Sequence, residues 1–338
     1  MIDLVVVGGG PAGLATALYA CRAGLDVTVV ERRPGPIDKA CGEGLMPGAV
    51  RALRDLGVTV DGQPLRGIRY TDGRRSAQAT FRDGPGAGLR RTTLHEALDA
   101  ARQRAGIEIV RANVTEVAQT EDGVTAAGVR ARYLVAADGL HSPIRHLLGL
   151  NRPSREPRRW GIRAHFPVAP WSEYVEVHWG RQSEVYVTPV GPDLVGVAVL
   201  GSRRGDFAER LAEYPAVLAR LGEARAEPVR AAGPLRQTSS RRVSGRVLLV
   251  GDAAGYIDAL TGEGLAIAFA TAAELVRCVR ADDPAAYEQA WRRTSRRPRL
   301  ITQGLLWTSQ RPVLRKHIVP AAQMLPAVFA HAVNQLAG

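Results

Sequence analysis

The spacing of apolar positions changes several times along the chain, and each change marks an element. Ile2 to Val7 is a short continuous apolar run that leads straight into glycines, as a parallel strand buried on both faces requires. Pro11 to Ala23, rich in alanine and leucine and stopped by Gly24, reads as a helix. Asp26 to Glu31 (DVTVVE) is the next strand, so the chain opens on a strand–helix–strand unit. From about Arg66 to Phe81 the period falls to two, with a turn at Asp72-Gly73, and Thr93 to Ala105 returns to helix. Strands are expected at Ile107–Val110, Val124–Val129 and Tyr133–Ala137. A second alternating block runs from Trp160 to Leu200, clearest in Tyr174–Trp179, Glu184–Thr188 and Val195–Leu200. Arg246 to Val250 (RVLLV) is again a buried type of strand, followed by Gly251-Asp252 and a long helix from about Glu263 to Val279. The remainder reads as helical, broken by Pro298, Pro312, Pro320 and Pro326.

Buried parallel-type strands thus fall at the start, near 133–137 and at 246–250, with antiparallel-type strands between them. The fold class expected is α/β: one discontinuous Rossmann-like nucleotide-binding domain (1–65, 90–155 and 240–285), interrupted by a mostly antiparallel substrate sheet (66–89 and 156–239) and closed by a helical C-terminus (286–338).

Composition narrows this picture. With 46% hydrophobic and 23% charged residues in 338, the chain is neither disordered nor collagen-like. Three cysteines are too few for a disulfide framework and no basic leader precedes the first strand, so a reducing cytoplasm is expected. The formal net charge of +12 is unevenly spread. Eight basic residues lie between Gln289 and Gly338 with no acid among them, which leaves only +4 on the other 288 residues. That distribution argues against a nucleic-acid partner. Residues 318–338 carry no charged side chain apart from His331 when protonated, but Pro320, Gln323, Pro326, Asn334 and Gln335 argue against a membrane span. Leu325, Val328, Phe329, Ala332 and Leu336 follow one helical face, expected to dock on the protein. With the preceding arginines, these C-terminal helices are also a candidate for peripheral membrane contact.

The chemistry begins at Gly8-Gly9-Gly10-Pro11-Ala12-Gly13, a G-x-G-x-x-G between strand and helix. Gly8 permits the tight turn, Gly10 lets backbone approach a pyrophosphate, and Gly13 lets helix and strand pack closely. The helix N-terminus then offers its free N–H groups to the phosphates. Glu31, 18 residues after Gly13, closes the second strand where a carboxylate bonds a ribose hydroxyl, and Arg32 follows it. These features fit NAD and FAD equally.

Two later motifs separate them. Val135-Ala136-Ala137-Asp138-Gly139-Leu140-His141-Ser142-Pro143-Ile144-Arg145 is a strand followed by D-G-x-x-S-x-x-R. Val250-Gly251-Asp252-Ala253-Ala254 and Leu260-Thr261-Gly262-Glu263-Gly264-Leu265 follow in order. The chain here resembles the FAD-dependent monooxygenase superfamily with the p-hydroxybenzoate-hydroxylase fold, and within it the geranylgeranyl-reductase-like oxidoreductases. The resemblance implies that Asp252, after Gly251, holds the ribityl or pyrophosphate region of FAD. It places the backbone of Thr261 to Gly264, with Leu265, at the pyrimidine edge of the flavin, where a helix N-terminus stabilises negative charge. It gives Asp138-Gly139 to the flavin and the nicotinamide donor, Arg91 to the phosphates or adenine, and the backbone of Val114 to the adenine. Only one strand–glycine-loop–helix unit exists, so NAD(P)H would visit the flavin without a Rossmann site of its own.

Lys39-Ala40-Cys41-Gly42-Glu43-Gly44-Leu45-Met46-Pro47 resembles the C-G segment that lies near the flavin in the reductase-like subgroup. Cys41 is either a redox-active thiol or a small packing residue. Glu184-Val185-Tyr186-Val187-Thr188-Pro189-Val190-Gly191, followed by Val195-Gly196, resembles the strand pair over the substrate pocket, with Val187 and Thr188 where prenyl reductases often carry aromatics. Trp160, His165, His178 and Trp179 lie on or beside these strands, and alternation turns only half toward the pocket. The resemblance implies first an NAD(P)H-dependent monooxygenase that hydroxylates an aromatic or polyketide-like small molecule through a flavin C4a-hydroperoxide. Cys41, Glu43 and Tyr186 are its candidate catalytic residues. The alternatives are a prenyl or enone reductase that uses Cys41, and a non-catalytic FAD-binding accessory protein.

Overall fold

The computed structural model describes every residue except Arg155. Eleven α-helices are α1 (Pro11–Arg22), α2 (Pro47–Asp55), α3 (Arg91–Arg104), α4 (Pro143–Leu147), α5 (Phe207–Leu211), α6 (Pro215–Leu221), α7 (Gly264–Arg280), α8 (Ala286–Ser309), α9 (Pro312–Arg315), α10 (Ile318–Met324) and α11 (Pro326–Ala337) among the described residues.

The first sheet is built on the continuous apolar runs. Strands Val247–Leu249, Val129–Ala136, Ile2–Val7, Val27–Val30 and Glu108–Val110 lie side by side in that order, all parallel. Leu4, Val5, Val6, Val29, Leu134 and Leu248 are fully buried, because α1 packs with α3 and α7 and the sheet is covered on both faces. Each such side chain contributes about 1.5–3 kcal/mol by leaving water. The three parallel-type runs seen in the sequence become neighbours here, although they are far apart in the chain.

The second sheet has seven strands in the order Arg230–Ala232, Trp160–Phe166, Leu194–Gly201, Ser183–Gly191, Tyr174–Trp179, Gly67–Thr71 and Ser76–Thr80. Pairing is antiparallel except between Tyr174–Trp179 and Gly67–Thr71. Alternation gives it two apolar faces. Val185, Val187, Val195 and Val197 pack beneath α5 and α6. Tyr70, Val177, Trp179, Tyr186 and Leu200 on the opposite face pack against Leu235, Ile257 and Leu260 and the inner sides of α8, α10 and α11. A small sheet of Gly44–Leu45, Gly86–Gly88 and Gln63–Leu65 straddles the boundary expected near residue 65.

Four expectations need correction. Val124–Val129 is not one strand: Val124–Ala126 turns at Ala127 and Gly128 (φ 49° and 78°) into the long strand Val129–Ala136. Two positive φ values make the tight hairpin turn that matches strand twist, and an alanine gives no signal for it. Pro298 does not break its helix. Tyr287, Trp291, Ser295, Thr302 and Leu306, buried along one stripe of α8, hold both halves in line. Pro320 lies in the first turn of α10, where no intrahelical acceptor awaits its missing N–H. In the tail, Phe329, Val333 and Leu336 face inward while Leu325 and Val328 are 56% and 62% exposed, so the docking stripe is rotated from the one read in the sequence.

Candidate functional site

The glycine loop is fixed from both sides. A Cβ on Gly8 (φ 113°) would stand 2.3 Å from the Ala137 carbonyl oxygen, and one on Gly13 would stand 1.8 Å from that of Gly8. Gly10 has no such neighbour: the nearest atom to its would-be Cβ is Arg91 Nη2 at 3.9 Å, which leaves an open cradle. Pro11 starts α1 and Ala12 follows it, at the end where free N–H groups collect. Gly9 N–H donates to Glu31 Oε2 at 2.8 Å, so the acid also braces the loop. Burial pushes the Glu31 carboxyl up, but the Arg33 side chain and the Arg33 and Gly9 N–H groups outweigh it and hold the carboxyl below its usual range. Arg33, 3.1 Å from Glu31, is the partner here, while Arg32 is exposed. Val114 is buried in the main core.

The two aspartates are joined through Arg145, the last residue of the D-G-x-x-S-x-x-R motif, whose sequence spacing alone does not announce this role. It is fully buried and donates to the carbonyls of Leu140 and Ala253 (both 2.9 Å) and to Gln237 Oε1 (3.0 Å). The Asp138-Gly139 and Gly251-Asp252 turns are thereby bolted together. Asp138 Oδ2 accepts Ile144 N–H at 3.0 Å, while its Oδ1 is buried without a partner. Burial pushes both aspartates up, and Arg91, Lys39 and Arg145 offset part of this at Asp252. Arg91 donates its backbone N–H to Glu43 Oε1 (2.9 Å), and its Nε is also buried and unpartnered. Gly262 (φ 74°) and Glu263 lead into α7 at Gly264 and Leu265. The Glu263 side chain turns inward, where Thr261 and Thr302 donate hydroxyls to it, the latter at 2.5 Å.

The Cys41 segment is stitched to the second sheet. Half-buried Cys41 accepts Glu43 N–H at its Sγ (3.4 Å), and Thr188 donates its hydroxyl to the Gly42 carbonyl (3.0 Å). Glu43 has a left-handed backbone (φ 59°) and a fully buried carboxylate. Its Oε2 lies 2.6 Å from His165 Nε2, and His165 Nδ1 lies 3.2 Å from Glu227. Arg163 bonds both Asp38 (2.7 Å) and the Lys39 carbonyl (3.2 Å). Glu43 therefore positions the segment and is engaged on both oxygens. Tyr186 is buried and donates its hydroxyl to the Leu260 carbonyl at 2.6 Å, which ties the sheet to the loop before α7. Arg145, Arg163 and His165 have long-range partners 62 to 125 residues away, so only the D-G-x-x-S-x-x-R spacing hints at any of them.

An open cradle at a helix N-terminus, an unpartnered buried guanidinium nitrogen and an unpartnered buried carboxylate oxygen suit a ligand with both a diphosphate and hydroxyl groups, as FAD has. Fold and cleft together define an FAD-dependent oxidoreductase. The chain belongs to the FAD binding domain family, whose model matches residues 1–281. It is 31% identical over 306 residues to menaquinone reductase of Mycobacterium tuberculosis (strain H37Rv), covering 78% of this chain and 72% of that protein. It is 28% identical over 296 residues to digeranylgeranylglycerophospholipid reductase 2 of Methanosphaera stadtmanae, covering 78% and 74%. The anhydrotetracycline hydroxylase of Streptomyces rimosus shares the fold, with a TM-score of 0.75 at 22% identity over 99% of this chain and 75% of that one.

Proposed function

We propose that the protein is an FAD-dependent reductase of an apolar, unsaturated, lipid-like substrate such as a prenylated quinone or a polyprenyl chain. One observation carries this reading: the floor beside the Cys41 segment is apolar, with Leu65, Val175 and the Thr188 methyl 3.5–3.9 Å from where a Cβ on Gly44 would stand, continuous with the buried core of Val177, Tyr186 and Leu200. The Tyr186 phenol is committed to the Leu260 carbonyl, and nearby His165 is committed to carboxylates. That surface suits a hydrocarbon better than a phenol needing activation, which weighs against the hydroxylase reading. Two relatives named as reductases of a quinone and of a prenyl lipid point the same way.

FAD, when bound, supplies two electrons with one proton to a carbon or quinone oxygen. Gly10, Arg91 and Glu31 would hold its dinucleotide, Asp138 and Asp252 its hydroxyls, and the N-terminus of α7 would stabilise negative charge. The second proton is the protein's. It is held at Cys41 Sγ and regained from water, since Cys41 is only half-buried. A reduced nicotinamide serves as donor without a site of its own. The outer face of the C-terminal helices seats the protein on the lipid surface that holds such a substrate.

Anaerobic holoprotein reduced with dithionite is expected to reoxidise on addition of a short-chain prenylated naphthoquinone, with one quinol formed per flavin. Cys41→Ser should slow this by roughly 10²-fold. Reoxidation by oxygen alone, with an oxygenated product from a phenol, would overturn the reading.

A further inference from the structure

Of 45 basic residues only Lys39 and Lys316 are lysines. Lys316 is exposed on the outer surface. Lys39 is largely withdrawn from solvent, and its Nζ lies 3.2 Å from where a Cβ on Gly139 (φ 91°) would stand, hard against the Asp138-Gly139 turn. The charges around it are Arg33 and Arg91, which repel it, and Asp252 and Glu31, which attract it. These neighbours come from separate motifs: the acid that closes the second strand, the start of α3, and the turn after Val250. The ammonium therefore sits where the parts of the cleft meet. Burial, then Arg33 and Arg91, push its pKa down.

A count of charges identifies what such a group is for. Arg33 is matched by Glu31 at 3.1 Å. Arg145 is consumed by Asn151 (2.5 Å), Leu140, Ala253 and Gln237. Arg91 keeps a buried Nε without an acceptor. Among the described residues neither the Lys39 ammonium nor the Arg91 guanidinium has a carboxylate within ion-pair distance, and each raises the other's cost of being charged. Two cations held beside an open glycine cradle, with only the buried Asp252 carboxylate near both, call for an anionic ligand. A compact ammonium also fits against the backbone at Gly139, where a planar guanidinium has less room.

We propose that Lys39 and Arg91 form a two-cation clamp on the diphosphate of FAD, with Lys39 closing it from the side of the Asp138-Gly139 turn. The clamp is independent of which substrate is reduced. It also ties the cofactor to the catalytic segment, because the Lys39 carbonyl is held by Arg163 and Cys41 lies two residues on.

The two lysines make a direct test possible. Acetic anhydride labelling of the apoprotein, read by peptide mass spectrometry, reports Lys39 beside Lys316 as an exposed reference. Saturating ADP or inorganic pyrophosphate is expected to slow acetylation of Lys39 about tenfold and leave Lys316 unchanged, while adenosine and riboflavin do neither. Lys39→Met, which keeps the stem, should weaken FAD binding about 10- to 100-fold in a fluorescence titration, the range of one charge-assisted hydrogen bond. Protection by riboflavin equal to that by ADP would assign the ammonium to the flavin ring and overturn the clamp. So would a failure of both ADP and pyrophosphate to protect. The labelling uses the unaltered chain, so it decides the matter even if the Met variant folds poorly.

Discussion

Glu263 shows how a buried acid behaves when two hydroxyls and its own backbone N–H meet it in place of a paired cation. Burial raises its pKa, with nearby Asp258 adding to the rise, and the bonds from Thr261 and Thr302 offset only part of this. The folded chain therefore favours the neutral acid. Stability from that group is fully present below its unfolded value of 4.5 and is lost as pH rises through the higher folded value. Glu263→Gln keeps the shape and removes the titration. The variant's apoprotein should gain on the wild type as pH rises above 4.5, and match it near pH 4, in urea melts. A gap that is constant with pH would show that the carboxyl does not titrate in this way. Glu31 has the opposite sign, because an arginine and two N–H groups meet its charge. The contrast explains what was legible at this scale. Gly8, Gly13, Glu31 and Asp252 declare themselves because each stands at a fixed offset in a strand–turn–helix motif, although Gly8 meets Ala137 and Asp252 meets Arg91 and Lys39 from elsewhere in the chain. Lys39, Arg163 and His165 do not, since their partners come from distant segments.

At the scale of elements, legibility followed periodicity and failed where packing overrode it. The buried runs at 2–7, 27–30 and 247–249 were readable because a two-sided strand needs unbroken apolar sequence. The hairpin at Ala127-Gly128 and the uninterrupted α8 were not, since tertiary contacts decide both. The docking of α11 is such a contact. Asn334 accepts Arg82 N–H (2.8 Å) and donates to the Thr80 carbonyl (3.0 Å), so one amide side chain covers the end of the strand Ser76–Thr80, which lies at the sheet edge. The Phe329 ring packs 4.8 Å from Tyr70 beside it. Asn334→Ala should cost about 1–3 kcal/mol, the sum of two net hydrogen bonds. It should also speed amide exchange at Arg82 more than at residues of the central strands. Unchanged exchange at Arg82 would mean that α11 is held by its apolar face alone.

For the whole molecule, the C-terminal helices are a layer with two different sides. The inner side is sealed to the second sheet by Leu306, Ile318, Val319, Phe329 and Val333, and by a buried charge cluster. In that cluster Arg159 and Arg315 share Glu184, and Arg159 also pairs with Asp258 at 2.9 Å. The outer side is unlike the rest of the surface. Six of the ten large hydrophobic residues exposed among the described residues (Leu300, Trp307, Val313, Met324, Leu325 and Val328) lie on these helices, interspersed with arginines and no acids after Glu288. No described helix is long and apolar enough to cross a membrane. An anionic lipid surface complements both features: it takes the apolar side chains into its boundary and meets the arginines with headgroup charge. Holoprotein should therefore cosediment with vesicles containing phosphatidylglycerol and much less with phosphatidylcholine alone. Replacing Trp307, Leu325 and Val328 together with serine should lower the anionic-vesicle affinity by about tenfold or more, since each buried apolar side chain carries over 1 kcal/mol. Those positions are exposed, so FAD binding and the thermal midpoint should be unchanged. Equal sedimentation with neutral and anionic vesicles, or no loss in the triple variant, would remove the membrane from the account. The layer would then serve only as the wall that keeps water off the apolar floor.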